Sequence, residues 1–354
     1  MEDKEETKMD CVYLRGPGPD EVEFGQLDIP KPGPGQVLIK VEATPINQSE
    51  LCCMRGEYDD IMNLGYPFVV GWEGAGTVVA SGGGLQAWFL QGKRVSFTRC
   101  DEAPELGNYS EIKIPGTYAK YAITNAYQCV PIDDDMPFDQ AATFFVNPLS
   151  AIGMVEEITN DKATSVVLTA AHSQICQMMI RLFKDANITV VAVVRKDEQV
   201  ESLKERYGLE HVFNFNNEDF LEKYKEVVQE LNCKHILDSV SGEIVGQMTT
   251  KMPKDSKLIV YGYLSKKNIS GIDPYKLIGN RLVVKGWFVQ TWMESKNLLK
   301  IILIIRKMKQ LAKDHFASDI QAKYELKDIK EAMEVFEKNQ SKGRIILKPW
   351  GLEN

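Results

Sequence analysis

The sequence is poor in residues that hold metals. It has four histidines, His172, His211, His235 and His315, and no two of them are close in sequence. Its seven cysteines, Cys11, Cys52, Cys53, Cys100, Cys129, Cys176 and Cys233, contain no CxxC spacing. Zinc sites need such ligands in sets at short spacings, so no structural or catalytic zinc is expected. An odd, scattered set of thiols also argues against a disulfide framework and fits a reducing compartment. Surplus positive charge is lacking too. With 42 Lys and Arg against 50 Asp and Glu, the net charge is -8, which disfavours a nucleic-acid partner. No apolar run approaches the roughly 20 residues that span a bilayer. The most apolar one, Leu298 to Ile305, is interrupted by Lys300 and reads as a buried helix face. The opening segment, 1–10, is acidic and has no apolar centre, unlike a secretory or transit peptide. A cytoplasmic or mitochondrial location without membrane insertion is the expectation.

What is present suggests two domains. A chain of 354 residues is long for one core, and 44% hydrophobic with 26% charged residues is ordinary for a globular protein. The first ~145 residues read as mostly β, with short apolar runs at Gln36–Glu42, Gly76–Ala80, Arg94–Phe97 and Tyr118–Ile123. Gly- and Pro-rich turns punctuate them, which suits a compact β-barrel. The character changes near Asn147. Phe138 to Glu157 reads as one helix. Strands Ser165–Thr169, Ile188–Val194, Val212–Phe215, His235–Asp238, Lys257–Tyr261 and Leu282–Gly286 then alternate with helical stretches. That alternation predicts a doubly wound parallel sheet, hence an α/β fold.

The strand Ser165–Thr169 runs into a turn, 170–176, and then a helix. A helix N-terminus there would face a pyrophosphate, where free N–H groups and the helix dipole favour an anion. The three glycine positions of the dinucleotide turn fall on Ala171, Ser173 and Cys176, none of them glycine. Ala and Ser are small enough for a backbone to approach phosphate. Cys176 stands where close helix–strand contact is needed and would push the helix outward. Gln174 and Ile175 complete the turn as cofactor-side candidates. The second strand ends in Arg195 and Lys196, where an acidic residue would select NADH. A guanidinium there suits a 2′-phosphate, so NADPH is the expected cofactor.

These features, with Pro45–Leu51, Arg55-Gly-Glu-Tyr58, Gly71-Trp-Glu-Gly-Ala-Gly76, Gly116–Tyr121, Phe145-Val-Asn-Pro148, Tyr261-Gly-Tyr263 and Gly286-Trp-Phe288, resemble the zinc-independent medium-chain dehydrogenases/reductases. The likeness is greatest to the quinone oxidoreductase and trans-2-enoyl-CoA reductase branch. It implies a GroES-like catalytic domain over 1–147 and 314–354, and a Rossmann domain over 148–313. In zinc-dependent relatives a histidine stands at the position of Trp72. The resemblance places Tyr58 at the nicotinamide as proton donor and Asn47 beside it. It also places Asn147, Tyr261, Tyr263, Trp287 and Phe288 in pocket or cofactor-contact regions.

The function implied is hydride transfer from NADPH to an activated C=C bond of a small-molecule substrate, an enone, quinone or enoyl thioester. Loss of the turn glycines leaves other readings open: a structural or assembly subunit that kept the fold, or an NADPH-binding sensor. A homodimer or a place in a larger assembly is equally open.

Overall fold

The computed structural model describes residues 7–57, 65–100, 112–113, 116–339 and 342–352. It forms two compact units, Met1–Val146 with Ala317–Asn354, and Asn147–Phe316. The chain begins with β1 (Lys8–Leu14), β2 (Val22–Asp28), β3 (Gln36–Ile46), β4 (Phe68–Val69), β5 (Glu73–Ser81), β6 (Arg94–Thr98), β7 (Tyr121–Asn125) and β8 (Cys129–Pro131). Helices α1 (Gln48–Met54) and α2 (Leu85–Leu90) fall among these strands, and α3 (Phe138–Ala141) follows them.

The second unit holds β9 (Ser165–Thr169), β10 (Thr189–Val194), β11 (His211–Asn214), β12 (His235–Asp238), β13 (Lys257–Val260) and β14 (Val283–Gly286). Its helices are α4 (Val146–Asn160), α5 (Gln174–Asp185), α6 (Asp197–Tyr207), α7 (Phe220–Glu230), α8 (Glu243–Lys251), α9 (Pro274–Gly279), α10 (Val289–Glu294) and α11 (Leu298–Leu311). The chain then returns to the first unit with β15 (Ile320–Glu325), α12 (Ile329–Lys338) and β16 (Arg344–Lys348).

In the first unit the larger sheet runs β15-β16-β3-β5-β6-β8, with β7 also paired to β3. β1 lies between β2 and β4 in a smaller sheet. Alternate residues of β3, β5, β6 and β7 meet in a core of Val37, Ile39, Val41, Val78, Val95, Phe97 and Ala122. A second core gathers Leu14, Ile46, Leu51, Phe68, Trp72, Tyr118, Phe336 and Leu347. Trp72 is thus a packing residue, with the Arg99 guanidinium 5.0 Å over its ring. Gly71 precedes it at φ 107, and a Cβ there would sit 2.3 Å from Thr117 Oγ1, so glycine is required.

The second unit is a six-stranded sheet in the order β11-β10-β9-β12-β13-β14, with every pairing parallel. Counted within the unit this is 3-2-1-4-5-6, the doubly wound dinucleotide-binding order. β9 is buried at all its positions, as expected for a central strand covered by helices on both faces.

Two expectations need correction. Phe138–Glu157 is two helices, α3 and α4, because the Phe145 and Val146 N–H groups donate to the Glu73 carboxylate, both at 2.9 Å. That carboxylate satisfies backbone donors at the start of α4 and fixes a break that local propensity does not reveal. Leu298–Ile305 is not a buried face. Leu298 is 72% exposed and Leu303 is 55% exposed, and Met308 is the buried residue of α11. Among the described residues no helix is long and apolar enough to cross a membrane.

Candidate active site

The sheet order changes direction between β9 and β12, and ligands of such folds bind at the carboxyl ends of strands at that point. β9 ends at Thr169, and Ala170 follows with φ 47, a left-handed turn that glycine would adopt more easily. The Ala171 N–H donates to the Val193 carbonyl at 3.1 Å, which ties the turn to β10. Ser173 caps α5, its hydroxyl accepting from the Cys176 N–H at 3.4 Å. The first N–H groups of α5, from Gln174 and Ile175, have no acceptor within the helix.

Cys176 is fully buried. Its Sγ lies 3.5 Å from the Thr169 carbonyl and 3.3 Å from the Tyr261 hydroxyl. The thiol therefore occupies the helix–strand gap instead of being squeezed out of it. Burial pushes the Cys176 thiol up, away from thiolate. Burial, and then Cys176 beside it, raises the Tyr261 phenol well above its usual range. Across the switch point, Thr169 Oγ1 donates to Asp238 Oδ1 at 2.6 Å and accepts from the Ser239 N–H at 3.0 Å. Asp238 also accepts from the Val240 and Ser241 N–H groups, at 3.0 and 2.9 Å, which fixes the β12 turn.

At the end of β10, Arg195 is exposed. Its backbone is held by Gln199 Oε1 at 3.3 Å and Asn216 Nδ2 at 2.8 Å, while its guanidinium has no ion pair among the described residues. Lys196 pairs with Glu198 at 3.0 Å. Tyr263 is 43% exposed beyond β13. Trp287 follows β14 and packs against Trp292, the rings tilted by 38° with centroids 6.2 Å apart; Phe288 beside it is 39% exposed. The tryptophan pair rests on Gly153 of α4, where a Cβ would lie 2.6 Å from Trp287. Asn147 stands part-exposed in the first turn of α4. Tyr58 lies outside the described residues.

In the first unit Asn47 is 3% exposed and central to a buried polar cluster. Its amide donates to Glu50 Oε1 and Glu73 Oε1, both at 3.1 Å, and accepts from Arg344 Nη1 at 2.6 Å. Both amide hydrogens are thus engaged within the protein. Asn47 and Glu50 also form a capping box on α1. Two carboxylates here face one guanidinium. Burial raises Glu50 to about 7, and Glu73 adds to the effect by repulsion. Burial also raises Glu73, against the pull of Arg344. With a proton on Glu50 the cluster is neutral. Sequence reading missed Glu50, Glu73 and Arg344. The Asn47-x-x-Glu50 spacing was a usable signal for the first; Arg344 had none.

The two units match known domain families. Residues 33–134 match the alcohol dehydrogenase GroES-like domain, and residues 174–303 match the zinc-binding dehydrogenase domain. The chain belongs to the medium-chain dehydrogenase/reductase family. Within it, a Caenorhabditis elegans mitochondrial enoyl-[acyl-carrier-protein] reductase is 25% identical over 81% of this chain and 80% of its own. Mouse prostaglandin reductase-3 is 25% identical over 75% of this chain and 68% of its own. A Mesorhizobium loti protein, named as a candidate NADPH:quinone reductase, superposes with a TM-score of 0.84 at 29% identity, covering 98% and 100% of the two chains. Among the described residues no three His, Cys, Asp or Glu side chains come together as a metal site.

Proposed function

We propose that this medium-chain dehydrogenase/reductase is an NADPH-dependent reductase of activated C=C bonds in enones, quinones or enoyl thioesters. The observation that carries the reading is the switch point of the second unit, with a capped helix N-terminus at one strand end and, at the next, the exposed Arg195, whose guanidinium has no ion pair among the described residues. The named activities of the similar reductases support it. The turn fits a dinucleotide despite its missing glycines, because Cys176 has found room between Thr169 and Tyr261.

In this reading the 170–176 turn and the first N–H groups of α5 hold the pyrophosphate. Arg195, with Lys196 beside it, holds the 2′-phosphate. The reduced nicotinamide, when bound, supplies hydride to the β-carbon. With no zinc in this reading, hydrogen-bond donors stabilise charge on the substrate carbonyl. Tyr58 gives its proton to the α-carbon, and a phenol, with an ordinary pKa of about 10, remains a loaded acid at neutral pH. Asn47 acts through the buried cluster it holds, positioning α1.

The test is fluorescence titration of the purified chain with NADPH and NADH. Charge-assisted contacts are each worth roughly 1.5–3 kcal/mol, so NADPH should bind about ten- to a hundred-fold more tightly. Arg195→Glu should erase that preference without lowering the melting temperature. Absence of binding by either nucleotide at millimolar concentration would remove the enzyme reading.

A further inference from the structure

We propose that the second unit carries a groove for a single-chain anionic amphiphile, a fatty carboxylate, beneath α11. A cavity of about 490 Å³ opens between α4, the end of α5, and α11. Its size falls within the roughly 300–1,000 Å³ of small-molecule sites. It lines the last turn of α5, with Leu182 and Asp185, about three helical turns from the Ser173 cap. It is therefore separate from the dinucleotide turn, and the proposal stands independently of nucleotide binding.

The floor is apolar. Val155 of α4, Leu182 of α5, and Leu303, Ile304 and Leu311 of α11 contribute to it. Of the 14 residues of α11, Met308 alone is buried, and Leu298, Leu299, Ile302 and Leu303 are exposed. Leu303 lines the groove at 55% exposure. Covering such carbon is the ordinary drive for binding an alkyl chain.

The rim is cationic. Lys296, Lys300 and Lys307 line the groove. Both acids there are already engaged: Glu156 with Lys296 at 2.7 Å, and Asp185 with His315 at 2.7 Å. Among the described residues Lys300 and Lys307 have no carboxylate within ion-pair reach. The groove lining carries three lysines, Lys296, Lys300 and Lys307, against the two carboxylates of Glu156 and Asp185, in a chain whose net charge is -8. Because Lys296 is paired with Glu156, the cations left to meet an anion there are Lys300 and Lys307.

The helix dipole orients the occupant. Asn297 caps α11, its side chain accepting from the Lys300 N–H at 3.0 Å. The positive end of the helix therefore coincides with Lys296 and Lys300. The carboxylate sits at Lys300, and the tail runs along α11 towards Leu311.

Titration calorimetry of the intact protein tests this with laurate below its micelle concentration. Acetate and dodecyltrimethylammonium serve as tail-less and cationic controls. Laurate should bind saturably, about one per chain, while acetate does not bind and the cationic amphiphile binds at least about ten-fold more weakly. Lys300→Glu and Leu303→Asp alter exposed side chains and should each weaken laurate about ten-fold, with the melting temperature and NADPH titration unchanged. No saturable laurate binding, equal affinity for the cationic amphiphile, or wild-type binding by Lys300→Glu would overturn the proposal. So would retention on anionic vesicles without binding of free laurate, which would assign α11 to a membrane surface.

Discussion

The buried cluster around Asn47 adds to the stability of the first unit a pH-dependent part whose direction is opposite to ordinary acid denaturation. Glu50 is an acid whose folded value, about 7, lies above its usual 4.5. The folded state therefore binds a proton between those values and the unfolded chain does not. The contribution of Glu50 to stability falls as pH rises from 4.5 to about 7 and levels off above. The cause is burial first, then the Glu73 charge, against hydrogen bonds from Asn47 and from the Trp72 N–H. Integrating between about pH 8 and about pH 5.5 gives a gain of about 2 kcal/mol on acidification. For a unit of this size that corresponds to roughly 4–8 °C in the melting temperature. His235 works the other way, since burial holds it below its usual value and favours the neutral ring. The measurement is therefore a difference: thermal unfolding of wild type and Glu50→Gln at both pH values. The wild type should gain on acidification relative to the variant. Equal pH slopes in the two proteins would refute the assignment of the protonated carboxyl to Glu50.

Other consequences are checked more directly. Tyr58→Phe should lower kcat with an enone on the order of 10²-fold while leaving the NADPH titration in place, because the hydroxyl acts only on the reacting substrate. Cys176→Gly should be less stable by about 1–2 kcal/mol in thermal unfolding, since it loses a fully buried thiol and places glycine in α5. The same variant should bind NADPH at least as tightly as wild type in a fluorescence titration, and weaker binding would show that the thiol shapes the turn. Gly153→Ala puts a Cβ 2.6 Å from Trp287 and 2.8 Å from Trp292, so it should cost about 1–3 kcal/mol by overpacking and shift the tryptophan fluorescence.

The sequence by itself determined the alternation of strands and helices in the second unit. β9 to β14 and the helices α5, α6 and α7 follow from local apolar runs, and a parallel sheet is what such alternation builds. It also marked the 170–176 turn and the cations that close β10. What it could not carry was anything set by distant partners. Arg344 meets Asn47 across 297 positions of sequence, and Glu73 breaks the α3–α4 helix from 72 positions away. The room for Cys176 depended on Tyr261, 85 residues later. The apolar run of α11 read as core because periodicity reports which side chains could be buried. Only the tertiary structure decides whether a neighbour arrives to cover them, and among the described residues none covers Leu298, Leu299, Ile302 or Leu303.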